Sequence, residues 1–232
     1  MALSLGVALL IAVVSTPAVR RIVLGAVLLV LAIGCGTRAP EPPTEAESHL
    51  PDGYALRLDR PNRKRSDFGA SLESGRLQIQ TGPAGILYEL DRQLDASDFR
   101  VGATFTQLEV PMGHREGYGL FVGGQDLAGP GQRYLCFLVR ADGRYLVKRR
   151  DGESTTELSG GWQPSDAVSV PAEPGAEVTN ALAVEASDGQ LRLLCNGEAV
   201  AELAVEPADL AGVVGLRVNH NLRVRVDGFG TD

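Results

Sequence analysis

Three tyrosines and two arginines mark where this 232-residue sequence could recognise a small polar ligand. Tyr118 in GYGLFVGG, Tyr134 in RYLCFLVR and Tyr145 in RYLVKRR fall in successive strand-like runs, with Arg140 and Arg149 beside them. A tyrosine offers an apolar ring face, and a guanidinium offers directed N–H donors. Together they suit stacking on a sugar ring and hydrogen-bonding its hydroxyls. The plainer reading is that these tyrosines border a core and keep their hydroxyls wet. Trp162, the only tryptophan, lies in loop-like GGWQPSD and is either a second stacking surface or a lid on the core. His114, close to Glu116, and His220, between Asn219 and Asn221, could meet a sugar or a metal, or simply sit in surface loops. No Cys-x-x-Cys pair, zinc-spaced Cys/His cluster or phosphate-cradling glycine loop is present.

The elements that must position these residues centre on one hairpin. RYLCFLVR (133–140) and RYLVKRR (144–150) are separated by Ala141, Asp142 and Gly143. Asp142-Gly143 reads as a two-residue type I′ turn, because Asp-Gly tolerates the positive φ angles it needs. That loop sets Val139 opposite Leu146 and Leu138 opposite Val147. One face then carries Leu135, Phe137, Val139 and Leu146. The other carries Tyr134, Cys136, Leu138, Tyr145 and Val147, with Arg140 and Arg149 alongside. Lys148 fits the first face badly, which predicts a bulge or a sheet edge near it.

From Tyr54 onward, short alternating runs recur between Gly, Asp, Asn and Pro turns, including Ser187-Asp188-Gly189 and Asn196-Gly197. No long helical period interrupts them. This pattern predicts an all-β antiparallel sandwich or barrel, in one domain over residues 51–232. A net charge of −7 argues against a general nucleic-acid binder. The basic groups Arg60, Arg63, Lys64 and Arg65, and Arg140, Arg144, Lys148, Arg149 and Arg150, read as solvated edges and turns. Cys136 and Cys195 both fall in predicted strands, either as a disulfide or as buried free thiols.

Residues 1–34 read as an export signal. Arg20 and Arg21 precede the apolar stretch Ile22 to Ile33, too short to span a membrane. Met1 to Ala18 reads as an over-extended gene start ahead of Val19, with a transmembrane segment as the competing reading. LAIGC resembles the bacterial lipobox, with Cys35 at the lipid-bearing position, although Ala32 stands where leucine is usual. An ordinary secretory signal is the alternative. The resemblance implies lipid attachment at Cys35 and, from Gly36 at the next position, the outer membrane. Loss of two arginines leaves 20 basic against 29 acidic residues, a mature charge of −9. Residues 35–50, rich in Pro and Glu, then form a disordered tether reaching roughly 20 Å on average.

NALAVEASDGQLRLLCNGEAVAEL followed by VVGLRVNHNLRVRVDGFG resembles the C-terminal half of concanavalin A-like (laminin-G-like) sandwiches. GYGLFVGG and RYLCFLVRADGRYLVKRR match that superfamily's central strands, and the resemblance covers residues 52–230. Domains described as 3-keto-disaccharide hydrolases are similar. The resemblance implies a two-sheet jelly roll and leaves the function open among lectin, glycosidase and adhesion module. Retaining glycosidases of the superfamily carry acids along one strand face in a Glu-x-Asp-x-(x)-Glu run. YELDRQLD approaches this with Glu89, Asp91 and Asp95, but its third acid is an aspartate one step too far, so no catalytic residue is assigned. The expectation is a lipid-anchored envelope protein binding a glycan or an envelope partner without catalysis; a 3-keto-disaccharide-type hydrolase is the alternative. No cofactor is expected; Ca2+ is admissible, but no residue points to it.

Overall fold

Alternation of apolar and polar residues, period two, builds most of the strands. In β5 (Phe99–Gln107), Phe99, Val101, Ala103 and Phe105 are buried while Arg100 is exposed. In β3 (Arg76–Thr81), Leu77, Ile79 and Thr81 are buried and Arg76 and Gln80 are exposed. Successive side chains of a strand point to opposite faces, so such strands present one dry side. β6 (Gly117–Gln125) and β7 (Arg133–Arg140) differ, being buried along nearly their whole length on both faces.

The computed structural model describes residues 50–94 and 98–231. The described strands form two antiparallel sheets, and no α-helix occurs among these residues. The first sheet runs β1 (Tyr54–Leu58), β4 (Gly85–Leu94), β14 (Gly212–Val218), β6, β7, β8 (Arg144–Asp151). Two short strands, β9 (Ser154–Glu157) and β10 (Gln163–Pro164), also pair with β8. The second sheet runs β13 (Glu198–Ala204), β12 (Gln190–Cys195), β11 (Val178–Ser187), β5, β15 (Arg223–Thr231), β3, β2 (Phe68–Glu73). This is the antiparallel two-sheet β-sandwich expected from the sequence.

The main core holds inward residues of both sheets, among them Phe105, Leu120, Phe137, Leu193 and Val224, each fully enclosed. Burying one such large side chain stabilises the fold by about 1.5–3 kcal/mol. A second apolar cluster lies on the other face of the first sheet, formed by Ile86, Tyr88, Phe121, Leu127, Tyr134, Cys136, Leu138 and Leu146. The loop after β6 covers part of it. Arg57 holds that loop down by donating to the carbonyls of Leu127 (2.9 Å) and Gly129 (2.8 Å).

Two type I′-like turns fall where the sequence places them. Asp188-Gly189 and Asn196-Gly197 each have both residues at positive φ, and each closes a two-residue hairpin. The Asp142-Gly143 expectation needs correction. Arg140 pairs with Arg144, so the loop is the three residues Ala141, Asp142 and Gly143, and within it only Gly143 has positive φ. The Gly143 amide donates to the Arg140 carbonyl at 3.1 Å, the geometry of a three-residue loop ending in a glycine bulge.

That extra residue slides β8 by one. Val139 therefore faces Tyr145, Leu138 faces Leu146, and Cys136 faces Lys148. A one-residue slip moves every side chain of a strand to its other face. The two-residue register would have put Lys148 on the core side with Leu146. The observed register puts fully buried Val147 there and turns Lys148 and Arg150 outward, while Ala141 packs with Val110 and Val178.

The expected signal segment, the expected lipid-bearing Cys35, the expected tether up to residue 49, and Asp95 lie outside the described residues. Cys136 and Cys195 are both free and buried, the thiol alternative of the two expected. They belong to different layers, Cys136 to the outer-face cluster and Cys195 to the inter-sheet core. Burial pushes the Cys136 thiol up to about 11.

Candidate functional site

The outer face of the first sheet can be built row by row from strand register, because residues directly opposite each other share a face. One row holds Arg217 of β14, Gly119 of β6, Leu138 of β7 and Leu146 of β8. The next holds Gly215, Phe121, Cys136, Lys148 and, on β9, Glu157. A third aligns Tyr134, Arg150 and Thr155. At the opposite end lie Gly117, Arg140 and Arg144, with Asn219 bonded to Gly117 through its amide at 3.0 Å.

These rows enclose a cavity of about 120 Å³. Its walls are Leu138, Leu146, Cys136 and Tyr134 from the apolar cluster, with Lys148, Arg150, Thr155, Glu157, Arg217, Asn219, Asp59 and Trp162 around them. A water in the liquid takes up about 30 Å³, so there is room for roughly four waters, enough to seat part of one sugar ring.

Glycine shapes the wall. A Cβ on Gly117 would stand 2.6 Å from Cη2 of Trp162, so only glycine lets the indole settle against the sheet. Arg140 stacks over the same ring, its guanidinium carbon 4.5 Å from the centroid. Both Nε and Nη2 of Arg140 also donate to Asp142 at 2.6 Å. Arg144 donates to the Trp162 carbonyl at 3.1 Å, which ties the indole-bearing loop to β8. Tyr134 leans on Phe121, ring centroids 5.3 Å apart.

One end of the cavity is an ion pair. Arg217, 11% exposed, meets both carboxylate oxygens of Asp59, Nη2 to Oδ2 being 2.6 Å, and its Nε donates to Asn219 at 3.1 Å. Burial pushes the Asp59 carboxyl up, but the hydrogen bonds and charge of Arg217 outweigh that and hold it below its ordinary 3.8. Burial opposes the charge on Arg217 and Asp59 restores it, so its pKa ends above the usual arginine value. Asp59 is therefore a committed anion, unsuited to proton transfer near neutral pH.

The structure brings some of the expected residues together and separates others. Tyr134 and Trp162 line the cavity, and Arg140 reaches it only through its stacking on Trp162. Tyr118 does not; it is fully buried between the sheets, where its hydroxyl accepts from Nδ2 of Asn180 at 3.2 Å. Tyr145 packs on the inter-sheet core, because the register slip reverses β8. Arg149 turns away for the same reason and pairs with Asp209. His220 lies past β14, its Nδ1 3.8 Å from Glu116. His114 has both ring nitrogens enclosed and without a hydrogen-bond partner. Glu89 is held by Arg92 at 3.0 Å, and Asp91 is exposed. Among the described residues no group of three or more His, Cys, Asp or Glu is placed to hold a metal.

Sequence reasoning missed Asp59, Arg217, Asn219, Lys148, Arg150, Thr155 and Glu157. For Lys148 a signal existed, since its misfit in the assumed register pointed to the register itself. Asp59 and Arg217 are 158 residues apart and nothing local links them.

No family model and no curated protein matches this sequence. Solved structures do share its shape. The carbohydrate-binding module CBM66 from Bacillus subtilis is 11% identical, with a TM-score of 0.55 over 80% of this chain and 99% of that one. A Bacillus subtilis protein of unknown function with a galectin-like fold is also 11% identical, with a TM-score of 0.50 over 77% and 88% of the two chains. At such identities the likeness shows the fold alone, a galectin-like two-sheet β-sandwich.

Proposed function

We propose that this protein is a non-catalytic glycan-binding module whose ligand occupies the cavity on the outer face of the first sheet. The observation that carries the reading is the cavity itself, where an indole, a tyrosine and an aliphatic wall lie beside hydrogen-bonding groups fixed by the sheet. A sugar has the matching chemistry, with C–H faces that stack on rings and hydroxyls that exchange hydrogen bonds with charged and amide side chains. The likeness to a structure named as a carbohydrate-binding module supports the same class of ligand. Catalysis is disfavoured by the state of the acids. Asp59 is tied to Arg217, and Glu157 is exposed on β9, which leaves no pair of free carboxylates flanking one bond.

Trp162 is the only tryptophan, so its fluorescence reports directly on the cavity. Titration with a panel of oligosaccharides shifts the emission of the wild-type protein saturably, and Tyr134→Ala and Trp162→Phe weaken binding measured by calorimetry. The absence of any response across the panel would remove the glycan reading. Release of cleaved sugar, followed by chromatography of the same mixtures, would replace it with a 3-keto-disaccharide-type or other hydrolase.

The module is held at the envelope by lipid on Cys35, with residues 36–50 as its leash. The sequence around Cys35 supports this part. Cells fed a fatty-acid analogue label the wild-type protein and not Cys35→Ser; equal labelling of both rules the anchor out.

A further inference from the structure

Three cations and two carboxylates line the cavity, and they are not equally committed. Arg217 is neutralised by Asp59 and oriented by Asn219. Lys148 and Arg150 are different. Neither makes an ion pair with a carboxylate among the described residues, and the one hydrogen bond between them runs from Nε of Arg150 to the Gly152 carbonyl at 2.6 Å. Glu157 stands opposite Lys148 across β8 and β9, yet no ion pair joins them. Lys148 and Arg150 are two residues apart on one strand, both half-buried, and face the same space as Tyr134 and Trp162.

This is unusual for the molecule. The chain carries a net charge of −7, and most arginines of its strands have found acids: Arg76 with Asp227, Arg133 and Arg149 with Asp209, Arg192 with Glu185 and Glu202, Arg223 with Glu109. A cation held half-buried beside an apolar wall with no carboxylate in contact has lost part of its hydration. The Asp59 charge, already bound by Arg217, reaches Arg150 only at longer range, and an incoming anion restores that balance.

We infer that the cavity selects a saccharide carrying an anionic substituent, a uronic-acid carboxylate or a sulfate ester, with Lys148 and Arg150 as its receptors. The inference rests on the glycan-binding reading above and narrows its ligand. The sugar ring occupies the wall made by Tyr134, Leu138, Leu146 and Trp162, and its anionic group points toward β8 and β9. The Arg217–Asp59 pair stays intact and presents a fixed dipole at the far end.

The purified full-length protein is titrated with trigalacturonate, with a sulfated chondroitin-type disaccharide, and with the carboxyl-reduced and desulfated counterparts of each, following Trp162 emission. At least one acidic sugar binds about tenfold or more tightly than its neutral counterpart, as expected for charge-assisted hydrogen bonds in a half-exposed site. The advantage shrinks when salt is raised, because partly exposed charges are screened. It disappears in Lys148→Gln/Arg150→Gln, in which acidic and neutral counterparts bind with equal affinity. Whichever acidic probe shows the advantage identifies the anion. Equal, salt-independent binding of acidic and neutral sugars overturns the inference and leaves the glycan reading standing. Failure of every sugar to bind overturns both. The salt dependence is read on the wild-type protein, so the test holds even if the double variant folds poorly.

Discussion

Asp59→Asn destabilises the protein by about 2–3 kcal/mol at neutral pH and weakens ligand binding at the same time. Breaking a buried pair from one side costs more than the pair contributes, since the remaining charge loses its partner while staying out of water. Arg217 is 11% exposed and Asp59 32%, so the upper end of the usual range is discounted for solvent reaching the carboxylate. The pH dependence carries its own sign. Arg217 depresses the Asp59 pKa in the folded protein, so the native state binds its proton less readily than the unfolded chain does. The stabilisation is therefore complete above the unfolded value near 3.8 and is lost as pH falls through the lower folded value. Chemical denaturation at pH 7 and near pH 3 checks this: wild type and Asp59→Asn differ at the first and converge toward the second. Pairing the change with Arg217→Met separates the ion pair from the shape of the site. The double variant is more stable than the sum of the single losses predicts, because no buried charge is left over. Equal stabilities of Asp59→Asn and wild type at both pH values would mean that the pair is a surface contact of no consequence.

Asn180→Leu has the largest expected effect on stability alone, about 3–4 kcal/mol, because several enclosed polar groups lose their partner at once. Asn180 is fully buried on β11 and bridges the two sheets. Its Nδ2 donates to the Tyr118 hydroxyl of β6 at 3.2 Å and to the Ser169 carbonyl at 3.4 Å. Its Oδ1 accepts from the Ser169 amide at 2.8 Å and from Asn196 Nδ2 at 2.9 Å. Asn196 in turn holds the Ala167 carbonyl at 2.8 Å. The network therefore clamps the segment after β10, the segment that Trp162 leads into, onto both sheets. Tyr118→Phe removes one bond only and costs about 1 kcal/mol, which separates the clamp from the single contact. Urea denaturation measures both variants. A loss below 1 kcal/mol for Asn180→Leu would show that the groups find other partners.

Much of the architecture was legible in the order of residues. Asp188-Gly189 and Asn196-Gly197 sit where two-residue hairpins close, since their positive φ angles suit these residue types and depend on nothing distant. The alternation in β3 and β5 is equally local, because a strand exposes its two faces in strict turn. Together they determine an antiparallel sandwich. Within the site, Tyr134, Arg140 and Trp162 were identifiable as residue types suited to a sugar.

What tertiary structure alone decided was which of these types share a space. The β7–β8 loop has one residue more than its Asp-Gly dipeptide suggested, and the packing of Ala141 and Val147 made that choice. The slip sent Tyr145 and Arg149 to the core side and brought Lys148 and Arg150 to the cavity. Asp59, in the bend just after β1, and Arg217 on β14 were equally invisible, for they are 158 residues apart and pair only because β1, β4 and β14 lie side by side. Strand identity is a local property of a few side chains against water, whereas register and cross-strand partnership are settled by packing across the whole sheet.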